Sequence, residues 1–221
     1  MRKFVFFLLI LIISSCVYSC RESDGARPFY NEIQEFKKHD EKQFPPKDAI
    51  LFVGSSSIRM WDDMASYFPG YTVIQRGFGG SGINDAILYA DDIIVPYHPK
   101  QIVIYSGEND VAMDASATDV LERFKKLFTL IREKLPNVSI IYISIKPSPS
   151  REKYMPVMEE ANVMIRQFLS SYPETVYIDV YHPMLGSDGK PRKELFSGDE
   201  LHMNRQGYEL WRDAIMPHLM K

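Results

Sequence analysis

The chain has 221 residues, enough for one sizeable hydrophobic core and too few for two comfortable domains once its N-terminal stretch is set aside. With 45% hydrophobic and 25% charged residues its composition is that of an ordinary globular protein, which excludes a disordered chain or a coiled coil. The formal charge of −3 is spread over segments of mixed sign and leaves no basic stripe to neutralise phosphates, so nucleic acid is not an expected partner and a small or neutral substrate fits better.

Arg2 and Lys3 precede an unbroken apolar run from Phe4 to Ile13, followed by Ser14 and Ser15, which is the pattern of a secretion signal. The run falls short of the about 20 residues that a spanning helix needs. Both cysteines lie at its end. Ile13-Ser14-Ser15-Cys16 resembles the lipobox of bacterial lipoproteins, which implies cleavage before Cys16 and a lipid on its sulfur; Val17-Tyr18-Ser19-Cys20 is a poorer second candidate. Cleavage by an ordinary signal peptidase, or a disulfide between Cys16 and Cys20, is the plainer alternative. Residues 1–20 are therefore expected to be a signal or lipoprotein segment, 21–28 a polar spacer and 29–221 the folded domain. The expected location is the cell envelope through a lipid anchor, or a secreted or periplasmic one. The domain itself has no cysteine, which excludes a disulfide scaffold, a thiol enzyme and a cysteine-based metal site.

Phe29 to His39 reads as a first helix, with Phe29, Ile33 and Phe36 on one face. After Pro45-Pro46 comes a short apolar run, Ala49 to Val53, that ends in glycine and serines. Thr72–Ile74, Ile102–Tyr105, Val138–Ile143 and Val176–Ile178 repeat that grammar, and each run reads as a buried strand. Between them, Ile83–Ile94, Ala117–Leu135, Met155–Tyr172 and Asn204–Met220 have helical periodicity. Strict alternation predicts a mostly parallel five-stranded sheet covered on both faces, with ligands bound beyond the carboxyl ends of the strands.

The residues just after those strands carry the chemistry: Gly54-Ser55-Ser56-Ser57, Gly77-Phe78-Gly79-Gly80-Ser81 and Gly107-Glu108-Asn109-Asp110, with Asp199-Glu200-Leu201-His202 ahead of the last helix. Ester hydrolysis needs a hydroxyl nucleophile, a base, a group to hold that base, and donors for an oxyanion. Serine supplies the first and His202 the second, because an imidazole takes and returns protons near neutral pH. Asp199 supplies the third. Glycine-loop amides and the Asn109 side chain supply the last.

Phe52 to Trp61, Arg76 to Ser81, Gly107 to Asp110 and Asp199 to His202 together resemble the four blocks of the SGNH (GDSL-like) hydrolases. The resemblance covers nearly all of the chain after the signal. It implies a three-layer α/β/α flavodoxin-like fold and no cofactor. It makes Ser56 the nucleophile, pairs Asp199 with His202, and assigns the oxyanion donors to the backbone N–H groups of Ser56 and Gly80 and the Asn109 amide. The aspartate that usually precedes the nucleophile is Ser55 here; counting from Gly54 and from Trp61 nevertheless reaches Ser56, with Ser55 and Ser57 as alternatives.

The implied function is a serine esterase acting through an acyl-serine intermediate on a small or glycan ester such as a carbohydrate O-acetyl group. Lysophospholipase or thioesterase activity, or a catalytically silent binding lipoprotein, are the alternatives, and oligomeric state is not legible. Taken singly, each block has a plainer reading as a turn or helix cap. Gly77, Gly79 and Gly82 also match a dinucleotide fingerprint, though after the second strand instead of the first. His202, Asp199, His182 and Asp179 are a conceivable metal set without metal-ligand spacing. Tyr181, Met184 and Phe196 are expected to line an acyl or leaving-group pocket, and Trp61 and Trp211 to be core.

Overall fold

The computed structural model describes residues 27–221. The signal, the candidate anchors Cys16 and Cys20 and most of the spacer lie outside the described residues. The five apolar runs form strands β1 (Ile50–Gly54), β2 (Val73–Gly77), β3 (Gln101–Tyr105), β4 (Ser139–Ile143) and β5 (Thr175–Ile178). They pair in parallel throughout, in the order β2-β1-β3-β4-β5, so the expected mostly parallel sheet is parallel at every pairing. This is the flavodoxin-like order, whose topological switch lies between β1 and β3.

Strand β2 runs further than its apolar residues indicate because it is an edge strand, where polar side chains find partners off the sheet. Gln75 donates to the carbonyls of Ile58 and Trp61 at 2.7 and 3.0 Å, and Arg76 reaches Asp40 at 2.5 Å. The two central strands approach closely at their ends. A Cβ on Gly54 would stand 2.0 Å from the Tyr105 carbonyl oxygen, so the residue that precedes the serines must be glycine.

Nine α-helices connect and cover the strands: α1 (Tyr30–Lys42), α2 (Ser56–Arg59), α3 (Met64–Tyr67), α4 (Ile83–Leu88), α5 (Ala90–Ile93), α6 (Glu108–Ala112), α7 (Ala117–Lys134), α8 (Met155–Leu169) and α9 (Arg205–Ile215), counted among the described residues. The helix expected over Ile83–Ile94 breaks at Tyr89, whose backbone leaves the helical region while its hydroxyl donates to the Pro28 carbonyl at 2.6 Å. The last helix stops at Ile215, where Pro217 tightens the chain into a 3₁₀ turn. Helices α2, α3 and α6 have four or five residues each, too short to show a helical period.

Side chains of successive strand residues alternate between two buried layers. Leu51, Val53, Ile102, Ile104, Ile140 and Tyr142 pack with α1, α4, α5, α7 and α8, whereas Ile50, Phe52, Val103, Tyr105, Ile141 and Ile143 pack with α2, α3 and α9. Trp61 and Trp211 are core residues of the second layer, as expected. Tyr181, Met184 and Phe196, expected along an acyl or leaving-group pocket, are buried within the two cores. Tyr181 belongs to the first core and Met184 to the second, where the Trp211 indole N–H points at the Met184 sulfur at 3.4 Å.

Candidate active site

Because the strands are parallel, the segments that follow β1, β2, β3 and β4 all emerge at one edge. The chain leaves β1 at Gly54 and turns into α2, of which Ser56 is the first residue. Its Oγ lies 2.9 Å from His202 Nε2. The flanking serines are buried: the Ser55 carbonyl accepts the N–H groups of Ile58 and Arg59, and the Ser57 carbonyl accepts the Tyr208 hydroxyl at 3.0 Å. Of the three serines, Ser56 is the one that meets the imidazole.

The other imidazole nitrogen, Nδ1, is 2.5 Å from Asp199 Oδ2. Asp199 Oδ1 accepts the backbone N–H groups of Leu201 and His202 at 3.0 and 2.9 Å. The carboxyl is thus held by its own turn while it orients the ring. Burial works to raise its pKa, but the hydrogen bonds from the His202 ring and the two backbone donors prevail and hold it at about 2. An ionised Asp199 fixes the proton on Nδ1 and leaves Nε2 as the acceptor that faces Ser56.

Asp179 and His182 repeat this turn, with Nδ1 2.7 Å from Oδ2 and the His182 N–H on Oδ1 at 3.2 Å, on an exposed surface beside Glu159. The two aspartate–histidine turns stay separate. Each aspartate is spent on its own histidine, and among the described residues no group of three His, Cys, Asp or Glu side chains is placed to hold a metal ion.

Asn109 sits in α6, buried, with its Nδ2 donating to the Ser81 carbonyl at 3.0 Å and its Oδ1 accepting from Arg151 Nη2 at 2.9 Å. One amide N–H remains for a ligand. Gly80 lies on the exposed loop after β2 with φ of 80°, a left-handed conformation that glycine adopts without strain. The loop is pinned ahead of it by Phe78 N–H to the Gly54 carbonyl at 3.0 Å and Gly79 N–H to Glu32 of α1 at 3.1 Å, and after it by the Ser81 hydroxyl to the Phe78 carbonyl at 2.9 Å. The glycines of the fingerprint pattern serve protein contacts. A Cβ on Gly82 would come within 2.9 Å of the Asp110 carboxylate, which accepts the Ile83 N–H at 3.0 Å and pairs with Arg123 at 2.7 Å.

Sequence reasoning missed the segment after β4. Lys146 is fully buried, with Nζ 3.0 Å from Glu108 Oε1 and 2.9 Å from the Leu201 carbonyl. Glu108 also accepts the Tyr105 hydroxyl at 2.6 Å and lies 3.5 Å from Arg151. Burial pushes the Lys146 ammonium below its ordinary pKa, and the Glu108 carboxylate opposes that. The signal was a lysine directly after the apolar run that ends in Ile145, a place where a charge is tolerated only with a buried partner.

The arrangement can remove a proton from a hydroxyl, return it to a leaving group, and hold a negative charge against an amide donor. A model of the GDSL-like Lipase/Acylhydrolase family matches residues 53–210. No curated protein matches the chain in sequence. Among solved structures, a GDSL-like lipase from Bacteroides thetaiotaomicron VPI-5482 superposes with a TM-score of 0.73 at 18% identity, covering 84% of this chain and 95% of that one. A catalytic mutant of an acetylxylan esterase from Geobacillus stearothermophilus superposes with a TM-score of 0.64 at 11% identity, covering 78% and 94%. At these identities the likeness is one of fold.

Replacing Lys146 by methionine removes one of the cations that face the buried Glu108 carboxylate. The variant is expected to lose about 3–5 kcal/mol of stability, the usual cost of breaking a buried ion pair from one side. Urea denaturation measures it, and a midpoint equal to that of the wild type would contradict the pairing.

Proposed function

Since the chain belongs to the GDSL-like lipase/acylhydrolase family, we propose that it is a serine esterase that hydrolyses carboxylic esters through an acyl-serine intermediate. The observation that carries the reading is the unbroken line from Asp199 through His202 to Ser56, at 2.5 and 2.9 Å. Ser56 Oγ attacks the ester carbonyl carbon as His202 Nε2 takes its proton. The carbonyl oxygen becomes an oxyanion, received by the backbone N–H groups of Ser56 and Gly80 and the free N–H of Asn109. Collapse expels the alcohol, protonated by His202. Water, deprotonated by the same nitrogen, then attacks the acyl-serine and releases the carboxylic acid.

The acyl group we assign is acetyl, on a carbohydrate. The acetylxylan esterase with the same fold supports that class, and so does the secretion pattern of Arg2 to Ser15, which would place the enzyme where polysaccharides are met. On this reading residues 1–20 are removed or lipidated at Cys16, 21–28 form a spacer, and 29–221 act as one domain at the cell envelope.

Ser56→Ala is expected to abolish turnover of acetylated sugars and p-nitrophenyl acetate with no change in melting temperature. A variant that retains full activity would sink the assignment, and a wild type that prefers long-chain acyl esters would favour a lysophospholipase. Folded protein that binds an acetylated glycan without cleaving any ester would favour the silent binding lipoprotein.

The pH profile follows from the depressed Asp199 pKa. A carboxyl depressed to about 2 keeps its charge as pH falls through its ordinary range near 3.9 and yields it only below that. Asp199 therefore adds no break to the acid limb of log kcat/KM in the ordinary carboxylate range. A second break in the ordinary carboxylate range would contradict the hydrogen bonding described for Asp199. For the anchor, metabolic labelling with a radioactive fatty acid is expected to mark the wild type and to be lost in Cys16→Ser; label that persists there and disappears in Cys20→Ser would move the anchor to Cys20.

A further inference from the structure

The segment between β4 and α8 touches both halves of the site. Lys146 Nζ donates to the Leu201 carbonyl, and Ser150 donates to the Glu200 carbonyl through its backbone N–H at 3.1 Å and its hydroxyl at 3.0 Å. Those carbonyls lie between Asp199 and His202. On the other side, Lys146 and Arg151 reach Glu108, and Arg151 reaches Asn109. Five residues, Lys146, Ser150, Arg151, Glu108 and Asn109, thus join the loop that carries the base to the helix that carries a side-chain oxyanion donor.

The contact between Arg151 and Asn109 decides what that donor can do. A side-chain amide fits its density of partners in two orientations, related by exchanging nitrogen and oxygen. In the observed one, Oδ1 faces the guanidinium of Arg151 and Nδ2 faces the Ser81 carbonyl. The exchanged one sets oxygen against the Ser81 carbonyl and N–H groups against a cation that can only donate, so both contacts would be lost. Ser81 and Arg151 therefore select the same orientation independently. The cation does more than select it. A charged donor on Oδ1 draws electron density from the amide and makes its remaining N–H a stronger donor, the cooperative effect expected of linked hydrogen bonds at low dielectric.

Arg151 is itself held in place. It sits at a non-helical position, φ −118° and ψ 21°, inside the 3₁₀ turn Pro149–Tyr154, and Glu108 lies 3.5 Å from its Nη1. Glu108 thus holds two cations, Lys146 and Arg151, and Arg151 lies between it and the Asn109 amide.

We propose that Arg151 is a positioning residue of the oxyanion hole, which orients and polarises the Asn109 amide so that its free N–H meets the negative charge that develops on the substrate. The inference rests on the esterase reading above. It concerns the transition state, so its effect belongs in kcat and not in KM.

The test compares Arg151→Met, Arg151→Lys, Asn109→Ala and the double variant Arg151→Met/Asn109→Ala with the wild type on p-nitrophenyl acetate, with melting temperatures measured beside the kinetics. Loss of a whole oxyanion donor lowers turnover by about 10²–10³-fold, so weakening one is expected to cost about 10–100-fold in kcat with KM changed less than about twofold. Arg151→Lys, which keeps a cationic donor, should recover part of the loss. In the Asn109→Ala background the Arg151→Met change should cost less than about twofold more, because its target is gone.

A kcat for Arg151→Met within twofold of wild type would overturn the inference, as would a full additional loss in the double variant, which would mean that Arg151 acts on the substrate or on the fold. If Arg151→Met does not fold, Arg151→Gln, which retains an uncharged donor, takes its place with the same expectations. A wild type inert on every ester and unlabelled at Ser56 by a fluorophosphonate would overturn the esterase reading and this inference together. An active wild type with an unaffected Arg151→Met variant would overturn this inference alone.

Discussion

A parallel ladder is closed only by crossover connections, so every strand of this sheet delivers the segment that follows it to the same edge. That constraint gathers residues from five distant parts of the chain into one place. Ser56 follows β1, Gly80 follows β2, Asn109 follows β3 and Arg151 follows β4, while Asp199 and His202 return to the edge from the segment ahead of α9. The order β2-β1-β3-β4-β5 adds a cleft where the connections after β1 and β3 turn to opposite sides. Ser56 and Asn109 flank that switch point.

The edge alone makes no site, as the second aspartate–histidine turn demonstrates. Asp179 and His182 have the same spacing and nearly the same hydrogen bonds as Asp199 and His202. What differs is the partner of the free ring nitrogen. His202 Nε2 meets a serine hydroxyl, whereas His182 Nε2 lies 3.9 Å from Glu159 on an exposed surface. The dyad is a local product of the Asp-x-x-His turn; the third member is a product of the tertiary fold.

That distinction also sets how much was legible beforehand. The five strands, the parallel sheet and the three layers could be read from short β-branched runs alternating with helical periods, because burial on both faces leaves a continuous apolar signature. Three of the site blocks could be read as strand-end motifs, and the fourth, Asp199 to His202, as a polar turn ahead of the last helix. Helices α2, α3 and α6 could not, since four or five residues cannot display a period. The burial of Tyr181, Met184 and Phe196 could not either, since an apolar residue near a site suits a pocket or a core equally. Lys146, Arg151 and Glu108 escaped for a different reason: their meaning lies in pairings across 38 to 55 positions of chain, and a charge in sequence does not announce its partner.

The hydrogen bond between Ser56 and His202 spans 146 positions and closes most of the domain into one loop. A contact of that range carries a high closure entropy and forms only after the intervening strands have docked. A chain made from its N-terminus therefore presents Ser56 and Asn109 first and His202 last. Until Asp199 and His202 have folded against the sheet, the serine is an ordinary hydroxyl. A chain that stops ahead of Asp199 would hold all five strands and still lack that contact.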